Sequence, residues 1–148
     1  MKRAISATSL LAAAVLALAG LTASELRSPF ERARKEADAR RTLLLVDFTT
    51  EWCGWCRKLE REVYPDPAVA RQLSRVVYFR VDAEREGQAL AQRYGVTGFP
   101  TLLFLTPSGA VAGSVLGYLP PAEFAARARA IIDAGEEPVA PSGRPSAP

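Results

Sequence analysis

The sequence predicts an α/β fold with a central mixed sheet, a βαβ unit followed by a ββα unit, flanked by helices and preceded by an extra N-terminal helix. Three observations predict it. Residues 43–50 (LLLVDFTT) form a nearly unbroken apolar run of strand length, the pattern of a central strand covered on both faces. Strand-length runs then alternate with helical segments whose starts carry capping residues. Finally, the apolar runs 101–106 and 110–117 are separated only by Pro107-Ser108-Gly109, a connection short enough to force an antiparallel hairpin.

Each element has a local cause. Ser28-Pro29-Phe30-Glu31 is a capping box, with Ser28 as N-cap, Pro29 at the first helical position and Glu31 three residues on, and it opens a helix to about Arg41. After the first strand come Cys53 and Cys56, then helix formers without a breaker until Pro65. Asp66-Pro67 restarts a helix to about Ser74. Residues 76–82 (VVYFRVD) form the second strand, and 87–94 a short helix closed by Gly95. Pro120 and Pro121 start the last helix, whose Phe124, Ala128, Ile131 and Ile132 make an apolar stripe before Gly135 ends it. No internal repeat is visible.

The chain of 148 residues divides into three parts: a signal peptide at 1–24, one domain at 25–135 and a disordered tail at 136–148. Met1-Lys2-Arg3 supplies a positive start, and the apolar run from Leu10 to Leu21 is shorter than the roughly 20 residues that cross a bilayer. A permanent anchor is the weaker reading. Ala17-Leu18-Ala19 and Thr22-Ala23-Ser24 both offer cleavage sites. A soluble, monomeric mature protein in the periplasm or otherwise secreted is expected. Setting aside Lys2 and Arg3 lowers the formal net charge from +3 to +1, and the remaining bases alternate with acids, so nothing points to nucleic acid.

Two cysteines and no histidine decide much of the chemistry by exclusion. A haem site would need His where Arg57 stands, a single-chain Cys₂His₂ or Cys₄ zinc site lacks ligands, and a histidine-assisted cysteine hydrolase lacks its base. No metal or cofactor beyond the cysteine pair is expected. Cys53 stands where a strand gives way to a helix, so backbone N–H groups and the helix dipole favour its thiolate, which makes it the nucleophile. Cys56, one turn on, becomes the resolving thiol. Arg57 and Lys58 add a modest positive charge. A purely structural disulfide is the plainer alternative, yet closing a four-residue loop restricts the unfolded chain by only about 2 kcal/mol. Such a bridge, exposed at a helix start, is open to attack. A copper(I) site on the two thiolates is the alternative from another class, a non-enzymatic chaperone, although no methionine or histidine stands beside the motif.

The run Val46-Asp47-Phe48-Thr49-Thr50-Glu51-Trp52-Cys53-Gly54-Trp55-Cys56-Arg57-Lys58 resembles the active-site segment of the thioredoxin superfamily, and Val96-Thr97-Gly98-Phe99-Pro100-Thr101-Leu102 resembles its second signature. The similarity covers residues 43–132. The segment Tyr64-Pro65-Asp66-Pro67-Ala68-Val69 looks most like the subgroup of exported thioredoxin-like reductases and the thioredoxin-like domain of the Dsb-system electron transporter. The resemblance implies a thioredoxin fold and a protein-disulfide reductase, with disulfide-containing proteins as substrates and an upstream thiol as electron donor. It implies that Pro100 follows a cis peptide across from the cysteines and that the Phe99 backbone pairs with a substrate strand. Asp47 matches the family's buried carboxylate, which relays a proton to and from Cys56; the alternative is an acid facing solvent at a strand edge. Trp52 is expected as a packing residue beneath the site, and Trp55 as an exposed substrate contact. The departures from thioredoxin are Gly54-Trp55 in place of Gly-Pro and Tyr78 in place of a lysine near the buried acid. Both leave the direction of electron flow open, with a disulfide-forming oxidase as the alternative.

Overall fold

Our computed structural model describes residues 28–136. The expected signal peptide lies outside the described residues, as does the tail beyond Glu136. The chain groups into two units that divide after Arg32, inside the first helix. That helix, α1 (Pro29–Ala39), opens as its capping box requires, with the Glu31 N–H donating to Ser28 Oγ at 3.1 Å.

In order there follow β1 (Leu44–Thr49), α2 (Gly54–Lys58) continuing into a π-helical turn (Leu59–Val63), α3 (Pro67–Leu73), β2 (Val77–Asp82), α4 (Gln88–Arg93), β3 (Thr101–Leu105), β4 (Val111–Leu116) and α5 (Pro121–Glu136). The sheet order is β2-β1-β3-β4, with β1 parallel to β2, antiparallel to β3, and β3 antiparallel to β4. All six residues of β1 are buried, as its continuous apolar run requires of a strand covered on both faces.

Alternation sends Leu45 and Asp47 to one face of β1 and Leu44, Val46 and Phe48 to the other. On the Leu45 face, Leu59, Val63, Val69, Phe104, Phe124, Ala128 and Ile132 close into one core. Asp47 is therefore an acid on the inner face of a central strand, with Leu102 as its partner in β3 and Arg80 in β2.

Two local expectations are corrected. The helix after the cysteines is not α-helical throughout: from Leu59 it widens, and the Tyr64 N–H donates to the Leu59 carbonyl at 3.0 Å, five residues back. The last helix runs through Gly135 to Glu136 rather than ending at the glycine. A Cβ on Gly135 would stand 2.9 Å from Leu43 Cδ1, so the missing side chain serves close approach rather than termination.

Candidate active site

Cys53 is the N-cap of α2. Its N–H donates to the Thr50 carbonyl at 3.2 Å, and its Sγ accepts the Cys56 N–H at 3.1 Å. The Cys53 Sγ is bonded to Cys56 Sγ. A hydrogen bond from a helix-start N–H to sulfur stabilises that sulfur when reduction leaves it as a thiolate. The bridge is not the exposed one expected from sequence: Cys53 is 3% and Cys56 4% accessible. The turn into α2 folds the sulfurs inward, and Glu51, Trp52, Gly54 and Trp55 carry the exposed surface.

Trp52 is also corrected. It is 64% exposed, donates Nε1–H to Glu84 Oε2 at 2.8 Å, and meets Phe99 edge-on with ring centroids 6.1 Å apart. An indole whose N–H needs a partner stays at the rim, where a carboxylate supplies one. This contact joins the cysteine segment to the second signature. Trp55 is exposed and lies 5.6 Å from the Tyr118 ring, and Lys58 Nζ sits over both rings while pairing with Glu62. Arg57 donates to the Glu51 carbonyl. Both cations after the motif are thus engaged away from the sulfurs.

The Phe99–Pro100 peptide is cis. The Pro100 carbonyl accepts the Gly117 N–H at 2.8 Å, and Thr101 Oγ1 donates to the Gly98 carbonyl at 2.8 Å, so the loop is tied to both strands of the hairpin. Phe99 and Pro100 line a groove of about 500 Å³ with Tyr94, Val96, Leu116 and Gly117, and neither cysteine lines it.

Asp47 is buried, at 2% accessibility. Its Oδ2 accepts the Tyr78 hydroxyl at 2.6 Å and the Tyr64 hydroxyl at 2.8 Å. Burial pushes its carboxyl up from the ordinary value of 3.8, while the Tyr78 and Tyr64 hydrogen bonds and the Arg80 charge pull it back, and Glu60 adds a smaller upward push. Arg80 in turn bonds Glu60 and Thr49 Oγ1. The alternative of a solvent-facing acid is removed by this burial. Tyr64 is the residue that sequence reasoning missed. Its one signal was an aromatic with a polar tip at the end of the cysteine helix, just before Pro65.

The family model of the thioredoxin-like domain matches residues 30–132. The chain belongs to the thioredoxin-like domain family. Over 108 residues it is 31% identical to the thiol:disulfide interchange protein DsbD of Pseudoalteromonas atlantica, an alignment covering 70% of this chain but 18% of that protein. Among solved structures, a thioredoxin from Thermus thermophilus is 38% identical with a TM-score of 0.63, covering 70% of this chain and 83% of that one. The reduced C-terminal domain of DsbD from Neisseria meningitidis is 22% identical with a TM-score of 0.60, covering 68% and 92%, and shows the same fold.

Proposed function

We propose that this thioredoxin-like chain is an extracytoplasmic thiol-disulfide oxidoreductase that reduces protein disulfides. The observation that carries the reading is Cys53 at the start of α2, its sulfur accepting the Cys56 N–H and bonded to Cys56. In the reduced chain the Cys53 thiolate attacks a substrate S–S bond, and one substrate sulfur leaves with the electron pair and takes a proton from water. The Cys56 thiol gives its proton to Asp47, and its sulfur attacks Cys53 Sγ. The bond from Cys53 to the substrate breaks, the second substrate sulfur leaves as thiolate, and the Cys53–Cys56 disulfide forms. Two electrons pass from the dithiol to the substrate. An upstream dithiol donor then returns two electrons to the oxidised pair. The Phe99 backbone and Trp55 flank the incoming chain.

Likeness to a thiol:disulfide interchange protein supports the exchange chemistry. The resemblance of residues 64–69 to exported thioredoxin-like reductases supports the reductive direction, and the apolar run after Lys2 and Arg3 supports a location outside the cytoplasm. The mature chain is a monomer in this reading. Two experiments test it. Cys53→Ser abolishes reduction of protein disulfides, whereas Cys56→Ser leaves a thiol that accumulates mixed disulfides; faster alkylation of Cys56 than of Cys53 near neutral pH reverses the roles. Mass spectrometry of the exported protein finds an N-terminus between Gly20 and Glu25, and a membrane-bound chain retaining Met1 refutes cleavage.

A further inference from the structure

The two oxygens of Asp47 have unlike surroundings. Oδ2 accepts two hydroxyls, from Tyr78 on β2 and from Tyr64 at the end of the π turn, whereas Oδ1 is buried with no hydrogen-bond partner among the described residues. Both phenols are driven well above their usual range, chiefly by burial and then by the Asp47 charge, so they stay protonated and remain donors wherever thiols titrate. Tyr64 is held in place from two sides, edge-on to Tyr78 at 6.0 Å and to Phe124 at 6.1 Å. The other charged neighbours are Arg80 on β2 and Glu60 on the π turn, paired with each other. From β3 the cross-strand neighbour is the apolar Leu102.

We propose that Tyr64 and Tyr78 are positioning residues that saturate Oδ2 and so place the exchangeable proton of Asp47 on Oδ1 when the mixed disulfide is resolved. A carboxylate oxygen that accepts two hydroxyls has its lone pairs occupied, so a third proton there would require a phenol to turn away. Oδ1 has both lone pairs free, and leaving it bare in the interior is unfavourable until it is protonated. The proton leaving the Cys56 thiol therefore goes to Oδ1, and the same oxygen releases it after the Cys53–Cys56 bond has formed. The pair of hydroxyls also favours the charged carboxylate against desolvation, keeping Asp47 able to accept a proton at a pH where burial alone would leave it filled.

The inference rests on the proton relay in the functional reading, and its test separates the two. Tyr64→Phe, Tyr78→Phe and the double variant keep the rings and remove the hydroxyls. Infrared titration of the protonated Asp47 carboxyl in the oxidised protein needs no turnover. Each variant is expected to move the loss of that carbonyl band to higher pH, the double variant furthest. In stopped-flow reduction of a small protein disulfide, each should slow resolution about tenfold near neutral pH, the effect of one lost hydrogen bond to a charge. The rate should recover as pH rises, with the first attack by Cys53 unchanged. A band whose titration does not move in any variant overturns the proposal, and so does a loss in which both steps slow equally at every pH. If Asp47→Asn leaves resolution unchanged, the relay fails and the proposal falls with it, whereas a slowed Asp47→Asn with an unmoved band in the tyrosine variants overturns the positioning and leaves the relay intact. Should the double variant not fold, Tyr78→Phe decides alone, since that residue is 40% exposed and the lost hydroxyl is its only change.

Discussion

A carboxyl on the inner face of a central strand is unfavourable to folding, and the unpartnered Oδ1 of Asp47 makes it more so. Because its carboxyl is raised in the folded chain, the folded state holds a proton that the unfolded state gives up near 3.8, so stability falls as pH rises from there through the folded value. Asp47→Asn removes that pH dependence. The variant should be more stable than the parent by about 1 kcal/mol near neutral pH, with the gap closing in acid, as read from urea unfolding across pH. It should also resolve mixed disulfides about 10²-fold more slowly, since an amide accepts no proton. A resolution rate identical to the parent's over roughly pH 6 to 9, where thiols titrate, would remove Asp47 from the chemistry. Asp47 was legible in sequence because it is the lone acid in an apolar strand. The exposure of Trp52 and the burial of the sulfurs were not, because the sense of the turn between β1 and α2 is set by packing rather than by the residues' polarity.

At the scale of elements, caps and turns were legible where a side chain acts on its own backbone. Asp66 Oδ1 accepts the Ala68 and Val69 N–H groups at 2.8 and 3.2 Å, so Asp66→Ala should lower stability by about 1 kcal/mol in chemical unfolding, without altering the thiol chemistry. The π turn was not legible, because Leu59 to Val63 are ordinary helix residues and the widening follows from tertiary packing. It buries Leu59 and Val63 fully and still turns the next residue, Tyr64, onto Asp47. The fit between β4 and α5 is of the same kind. A Cβ on Gly113 would meet Ile131 Cγ1 at 2.7 Å, against an otherwise filled core. Gly113→Ala should therefore cost about 1–3 kcal/mol by overpacking. In an Ile131→Ala background, which removes Cγ1, Cγ2 and Cδ1, the three atoms that a Cβ on Gly113 would meet, Gly113→Ala should cost less than it does in the parent; an unchanged cost would place the strain in the strand backbone instead.

For the whole molecule, stability and electron flow are linked by one thermodynamic cycle. The difference between the unfolding free energies of the oxidised and reduced chains equals the shift that folding imposes on the Cys53/Cys56 couple, at about 30 mV for every 1.4 kcal/mol. A reductant must be more stable oxidised than reduced, and an oxidant the reverse. Two features set the balance here. The Cys56 N–H bond to Cys53 Sγ favours a reduced thiolate at the helix start, which pulls toward oxidising behaviour. Opposing it, Cys53 and Cys56 are nearly inaccessible in the oxidised form, where a neutral bridge is buried without the desolvation that a thiolate would suffer there. Cations that could offset this are held elsewhere, Lys58 by Glu62 and the Trp55 and Tyr118 rings, and Arg57 by the Glu51 carbonyl. The desolvation of a charge outweighs one hydrogen bond to it, so the oxidised chain should unfold at the higher urea concentration. Urea unfolding of the fully oxidised protein and of the dithiol, at one pH and followed by Trp fluorescence, measures the gap directly. If the reduced chain proves the more stable, folding favours the dithiol and the protein forms disulfides rather than reducing them.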